Sequence, residues 1–533
     1  MQTRFKTHLK TSVASAAVAA GMLFSTAAVA NDVSLKSADG TVNINGEFIA
    51  LEEGVYIIRT ALGDMRVSAA RVRCEGPGCP SLETTTADVT IAGSATIGLG
   101  MMPLLMTGFA TSVDADVEVN NVSEGQSIAT LFADGGFGDE MGSYLVSTTS
   151  DDGAFASLLD GSAQIGMSSR RITRDEARAL RADGAGNMVS PQQESILAID
   201  NVVVVTHPSN PVKQLTKEQL RAIFSGEIRN WSQVGGNDFP INVVARDAGS
   251  SSHAYFMNYL FEGENSPFLA QAIANDDQGV SNTVFFDRYS IGYVGYAFQR
   301  GTKAMTLVNE CGITVSPDAF SAKTEEYDLS RRLYLYSRSD NFDKPTKDLV
   351  EFAKSELADG VIAKSGFIDL GIIRSTPESI ENRKVALQGQ LAGYDVGFEE
   401  KLVEAMLKDL GNNDRLSTTF RFNTGSSKLD ERGRLDVSRL ISYLERAEKD
   451  TKITFVGFTD DVGAFEGNRQ LSQNRADTLM FEIRSAAQGR LDHIQMEAKG
   501  YGELSPSACN VTDQGRSINR RVEVWISNGN QES

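Results

Sequence analysis

Two groups of side chains in this sequence have the types and spacing to do chemistry. The first lies in RDAGSSSHAYFMNYL, Arg246 to Leu260. A guanidinium stands four residues before the first of three serines. Tyr255, Phe256, Tyr259 and Leu260 then recur with helical spacing. The apolar run INVVA precedes Arg246, so Gly249 to Ser252 fall at a strand-to-helix turn. A helix start leaves backbone N–H groups unsatisfied and carries the positive end of the helix dipole. Hydroxyls add donors, and a planar guanidinium fork suits a tetrahedral oxyanion. The plain alternative is a serine-rich N-cap beside a surface arginine.

The second group is Asp460, at the end of the strand-like KITFVGFTD, and Arg475, in NRQLSQNRADTLMFEIRSAA. Arg475 sits between Leu471 and Leu479 at steps of four, on the stripe that otherwise packs on a core. A charge there needs a partner, because burying it unpaired is costly. Asp460 can be that partner. The pair is either a structural ion pair or a clamp for a ligand carrying both an ammonium and a carboxylate.

The elements that must position these groups fall into several modules. The chain has 533 residues, enough for three or four domains. Residues 1–30 read as a secretion signal: Arg4, Lys6 and Lys10, then VASAAVAAGMLF, then AVA ending at Ala30. The apolar core is too short for a membrane span, which needs about 20 residues. Removing the three cations takes the net charge from −19 to −22. A surface this acidic repels nucleic acid and anionic membranes, so neither is an expected partner.

Residues 31–85 alternate apolar and polar positions between glycine turns, the pattern of a small β domain. Cys74 and Cys79 enclose the turn EGPG at its exit and are expected to form a local disulfide in an oxidising compartment. Cys311 and Cys509 are either paired or free. Residues 86–375 alternate strands and helices, an α/β domain. In it Thr216 is a candidate N-cap for LTKEQLRAIFSGEIRNW, with Leu220, Ile223 and Phe224 on one face. Residues 376–410 read as a connector. Residues 411–527 read as a compact α+β domain, with Leu435, Leu440 and Leu444 on one helical stripe, and 528–533 as a tail. His207, His253 and His493 have no metal-ligand spacing, and no GxSxG, HExxH or GxxxxGK[ST] occurs. The expectation is a non-enzyme with no cofactor and no metal.

The middle domain resembles the periplasmic phosphate-binding receptors of ABC transporters, the PstS-like substrate-binding family. AGSATIG, DGSAQIGMSSRRIT, LTKEQLRAIFSGEIRNW, RDAGSSS, SIGYVGYAF and YDLSRRLYLY match that family's segments in order. The resemblance implies a two-lobed α/β fold with an anion clamped between the lobes. It implies contacts from Ser94, Thr96, Asp152, Gly153, Ser169, Arg246, Ser250, Ser251 and Ser252. The ligand it implies is inorganic phosphate or a related oxyanion, with an ABC permease as a further partner. Ser169 stands where better-known members have an aspartate. That loss removes the acceptor that bonds a protonated oxyanion and so weakens the preference for phosphate over sulfate. Arg170, next in sequence, is a candidate extra cation.

The last domain resembles the OmpA-like peptidoglycan-binding domain through GFTDDVG, NRQLSQNRAD, GYGELSP and TDQGRSINRRVEVWI. That resemblance implies that Asp460 and Arg475 grip the diaminopimelate of a stem peptide, with Asn468 and Arg521 in support; Arg520 or Arg521 can equally be structural. Together the resemblances imply a secreted protein of the periplasm that binds phosphate and is held at the cell wall or outer membrane. The alternative is an envelope-organising protein whose receptor-like domain no longer binds phosphate.

Overall fold

The computed structural model describes residues 32–36, 43–52, 55–68, 72–76, 78–79, 87–375 and 399–527, apart from 124, 134–135, 137, 264–266, 412, 423–428 and 430. The expected signal peptide, residues 376–398 and the tail lie outside the described residues. The chain divides into two compact units, Met1–Leu82 and Glu83–Ser533.

The first unit is the expected small β domain. Its five strands run Gly63–Ser68, Val55–Thr60, Asn43–Glu52, Asp32–Lys36 and Arg73–Glu75 across the sheet. Every pairing is antiparallel. The alternation places Val33, Leu35, Tyr56 and Ile58 in one core. Cys74 and Cys79 are joined, with S–S 2.02 Å.

In the second unit a single ladder runs through both lobes of an α/β domain. The strand Glu194–Thr206 joins them. Its first part, through Asn201, pairs with Ser330–Ser337; its last part, from Val202, pairs with Ser290–Gly295. In the first lobe, Val89–Ser94 lies parallel to both Glu140–Thr149 and Ile165–Ser168. The first-lobe core is built from Ile91, Ile97, Phe109, Val146 and Met167, and the helix residues Leu349 and Ile362 close it. In the second lobe, Thr216 caps Lys217–Phe224 in a capping box with Gln219, and Leu220, Ile223 and Phe224 are buried, as the sequence pattern requires.

The C-terminal module is a five-stranded sheet in the order Arg374–Ser375, Asp414–Arg421, Arg521–Ser527, Lys452–Gly457, Gln495–Gly500. The helices Glu431–Glu445 and Phe465–Ala487 cover one face, with Leu440, Ile441, Leu444 and Leu479 in the core. Leu435 is not part of that stripe and is exposed. Five residues before Leu440 is about 140° around the helix, which turns it outward. Residues 399–410, read as connector, form a helix whose Val403, Met406 and Leu410 pack on Phe458 and Trp525. That apolar stripe packs on the sheet of the C-terminal module.

Receptor and C-terminal module are joined by more than the chain. Cys311 and Cys509, left open by the sequence, form a disulfide. Arg415 bonds Glu326 at 2.7 Å, and Arg421 and Arg432 both bond Glu325. These guanidiniums hold the Glu325 carboxyl well below the usual carboxylate range, against the effect of burial. On the first-lobe side, Arg439 bonds Asp359 at 2.6 Å.

Candidate functional site

The strand ends decide which side chains of the receptor meet. Ser94 pairs with Thr149 on one side, and its neighbour Gly93 pairs with Met167 on the other. Ser94, Asp151 and Ser169 therefore leave the sheet at the same end, where ligands of open α/β sheets bind. Ser94 is fully buried, and its hydroxyl has no hydrogen-bond partner in the protein. An unsatisfied buried hydroxyl costs about 1–3 kcal/mol, which a bound oxygen would return. Thr96 is buried in the helix Ala95–Gly100 that follows.

The Asp151–Asp152–Gly153 segment opens the helix Asp151–Leu159, capped by Ser150. Asp151 turns inward. Its two oxygens accept the Ser169 N–H and the Ser169 hydroxyl, both at 2.7 Å. Asp152, one step round the helix, is exposed and bonds Arg170 at 2.5 Å. The Gly153 N–H is spent on the Ser150 hydroxyl at 3.0 Å. The structure thus puts Asp151, not Asp152, beside Ser169. Arg170 is also spent: it bonds Glu176 at 2.6 Å and lies over the Phe155 ring.

On the second lobe the Arg246–Ser252 turn takes the expected form. Asn242–Arg246 is a strand and Ser251–Phe261 a helix. Ser250 is the N-cap, its hydroxyl accepting the His253 N–H, and Ser252 is fully buried while Ser251 is half-buried. Tyr293, stacked on Phe256 at 4.2 Å, carries a polar tip to this turn. Its hydroxyl accepts the Arg246 N–H at 3.2 Å and meets His253 Nδ1 at 2.7 Å. The Arg246 guanidinium is buried against Asp277 and donates to the Asn275 carbonyl at 3.1 Å.

Arg331 went unrecognised in the sequence reading, although YDLSRRLYLY contains it. It faces Asp200 across the joining strands. Nε and Nη2 bond Asp200 at 3.0 and 2.8 Å, Nη2 reaches the Ser252 hydroxyl at 2.8 Å, and Nη1 reaches the Ser169 hydroxyl at 3.3 Å. One guanidinium thus meets a serine of each lobe. Burial opposes its charge, but Asp200, Asp151 and Asp277 hold its pKa above that of a free arginine. The only sequence signal was an arginine pair in an otherwise apolar strand.

In the C-terminal module Asp460 is buried and bonds Arg520 at 2.7 Å. Asn468 Nδ2 donates to the Asp460 carbonyl at 3.3 Å and to Glu503 at 2.6 Å. Arg475 is fully buried, over the Phe422 ring at 5.3 Å. Burial pulls its pKa down to about 10, with Asp460 opposing and Arg520 reinforcing that fall. Asp460, Asn468 and Arg475 are therefore gathered, and Arg520 joins them. Arg521 is elsewhere: it bonds Glu523 at 2.6 Å and lies over Phe458. As the first residue of a strand it shares the face of residues 523 and 525, one step from Arg520. No cluster able to hold a metal occurs among the described residues.

Comparison with known proteins agrees with both resemblances. Residues 80–356 match the PBP superfamily domain and residues 421–520 the OmpA family. The phosphate-binding protein PstS of Borreliella burgdorferi is 26% identical over 213 residues, 39% of this chain and 72% of that protein. PstS of Bacillus subtilis is 25% identical over 222 residues, 41% of this chain and 69% of that protein. A putative phosphate ABC transporter substrate-binding protein from Clostridium perfringens, solved with bound phosphate, is 24% identical. It covers 53% of this chain and 98% of its own, with a TM-score of 0.41. The relatives that carry the match are named as binding proteins, in line with a non-enzymatic receptor. The chain belongs to the PBP superfamily, with a PstS-like receptor domain followed by an OmpA domain.

Proposed function

We propose that this is an exported envelope protein whose receptor domain binds inorganic phosphate in the cleft between its lobes and whose OmpA domain holds it to peptidoglycan. The observation that carries the anion reading is the meeting of Ser169 and Ser252, one from each lobe, at one buried cation. Ser94, Thr96 and Ser250–Ser252 complete the donor set. Calorimetric titration of the protein lacking residues 1–30 tests it. Phosphate is expected to give a saturable heat. No heat from phosphate or sulfate at millimolar concentration would leave the envelope-organising alternative.

Asp151 restores the acceptor that Ser169 was expected to have lost. An ionised carboxylate accepts only, so it bonds an oxyanion that keeps a proton and repels one that has none. Phosphate keeps a proton near neutral pH and sulfate does not. Asp151→Asn is therefore expected to reduce the phosphate-over-sulfate preference about tenfold, roughly 1.4 kcal/mol. Competition titrations with the two anions check this. An unchanged ratio would place the discrimination elsewhere.

For the wall, the buried Asp460 and Arg475 pair with the ammonium and carboxylate of a diaminopimelate residue. The protein is expected to sediment with diaminopimelate-type peptidoglycan, and Asp460→Asn or Arg475→Ala to abolish most of that. If Asp460 serves only the core, breaking its bond to Arg520 should instead cost about 3–5 kcal/mol of stability and leave wall binding in place. Melting curves run beside the pull-downs separate the two.

A further inference from the structure

We propose that the open edge strand of the N-terminal β unit, Gly63–Ser68, pairs antiparallel with the same strand of a second copy of this chain, about a dyad at Met65. Neither the anion cleft nor the wall site takes part. The five-stranded sheet ends on this strand. Every residue from Ala61 to Arg66 is exposed, Leu62 by 95% and Met65 by 36%. Sheets usually blunt such an edge with proline, lysine, a bulge or a covering element. Gly63–Ser68 contains no proline or lysine, and its register with Val55–Thr60 is unbroken over six pairs. The opposite edge, Arg73–Glu75, offers only three residues.

Both faces of the edge are unfinished. On the outer face the paired positions Glu47, Arg59 and Asp64 form a row of alternating charge, with Arg59 Nε donating to Asp64 at 2.9 Å. The row stops on a carboxylate, and the next position across calls for a cation. On the inner face Phe48, Ile58 and Met65 form an apolar row. Ile58 is fully buried in the core of this unit, while Met65 leaves the row open to water. A second sheet joined at this edge continues both rows, and cross-strand pairs of these kinds are what stabilise a sheet.

Backbone geometry and charge together fix the register. Thr60 and Gly63 flank a two-residue turn, so they are a pair that exchanges both backbone bonds. Such pairs alternate along an antiparallel ladder. The N–H and C=O of Asp64 and Arg66 therefore face the open edge, and those of Met65 do not. In a two-fold pairing the dyad then falls at Asp64, Met65 or Arg66. Centring on Asp64 sets Asp64 against Asp64, and centring on Arg66 sets Arg66 against Arg66. Like charges directly opposite are destabilising. Centring on Met65 sets each Asp64 opposite an Arg66 and Met65 opposite Met65, so this register alone continues both rows. A single strand pair buries less than the roughly 1,200 Å² of a standard interface, so the dimer is a weak one that forms at high local concentration.

Sedimentation velocity on the protein lacking residues 1–30, from micromolar to near-millimolar concentration, tests this. The parent is expected to pass from the monomer mass toward twice that mass. Asp64→Arg and Arg66→Asp each set like charges against one another, and each is expected to weaken dimerisation roughly tenfold or more. Mixing the two variants restores both oppositely charged pairs in a mixed dimer, so the mixture is expected to regain the parent's association. A merely structural defect would not be repaired by mixing. Met65→Lys places two ammonium groups on the dyad and is expected to stay monomeric. Its side chain is exposed, so its melting temperature should match the parent's. A monomeric parent, parent-like dimerisation of Met65→Lys, or no gain on mixing the two folded charge variants overturns the proposal.

Discussion

Replacing Cys311 and Cys509 together by serine is expected to lower the stability of the C-terminal module by about 5 kcal/mol. The bridge spans 198 residues. Cross-linking residues that far apart removes about 5 kcal/mol of chain entropy from the unfolded state, on the chain-entropy account. The ion pairs at the junction do not replace it. Arg415–Glu326 and the two arginines on Glu325 are buried, and such pairs return little beyond the desolvation they cost. For a module of this size the melting midpoint should fall by roughly 10–20 °C. The receptor and module should then melt in separate steps. Calorimetric scans of the parent and the double variant check this, and a superimposable pair of traces would show that the junction holds without its covalent link.

Gly93→Ala is expected to be the most damaging single change in the receptor, at about 3–5 kcal/mol from backbone strain plus overpacking. Gly93 has φ +135°, which side-chain-bearing residues rarely adopt. A methyl group there would stand 2.1 Å from the Met167 carbonyl oxygen and 2.6 Å from the Ala154 Cβ. The backbone must move, and the strands that move carry Ser94 and Ser169. On the proposed reading, phosphate binding should fail together with stability. Gly161→Ala is the control: φ is +75° and nothing lies within 4 Å of the added carbon, so about 1 kcal/mol is expected. Equal melting losses in the two variants would mean that the close strand approach at Gly93 costs nothing.

The residues that the sequence reading placed correctly are those whose roles are set locally. Thr216 caps its helix, the serines open theirs, and Cys74 meets Cys79 because a few residues of one turn decide each case. Differences of one position between pattern and structure arose where a face had to be chosen. Asp151 turns inward and Asp152 outward because they differ by one helical step, and Arg520, just before the strand that Arg521 begins, meets Asp460 while Arg521 meets Glu523. Arg331 could not be found by pattern. Its contacts depend on lying opposite Asp200, 131 residues earlier, and on Ser169 and Ser252 arriving from two lobes. The Cys311–Cys509 pairing is of the same kind.

The bonds between receptor and C-terminal module have a consequence for direction. A receptor hung on a loose leash samples every heading within its reach. Here the module is pinned through Cys509 to Cys311, through Arg415 to Glu326 and through Arg439 to Asp359. Whatever surface grips the module therefore also sets the compass bearing of the cleft mouth, and the two turn together like a lamp on a bracket.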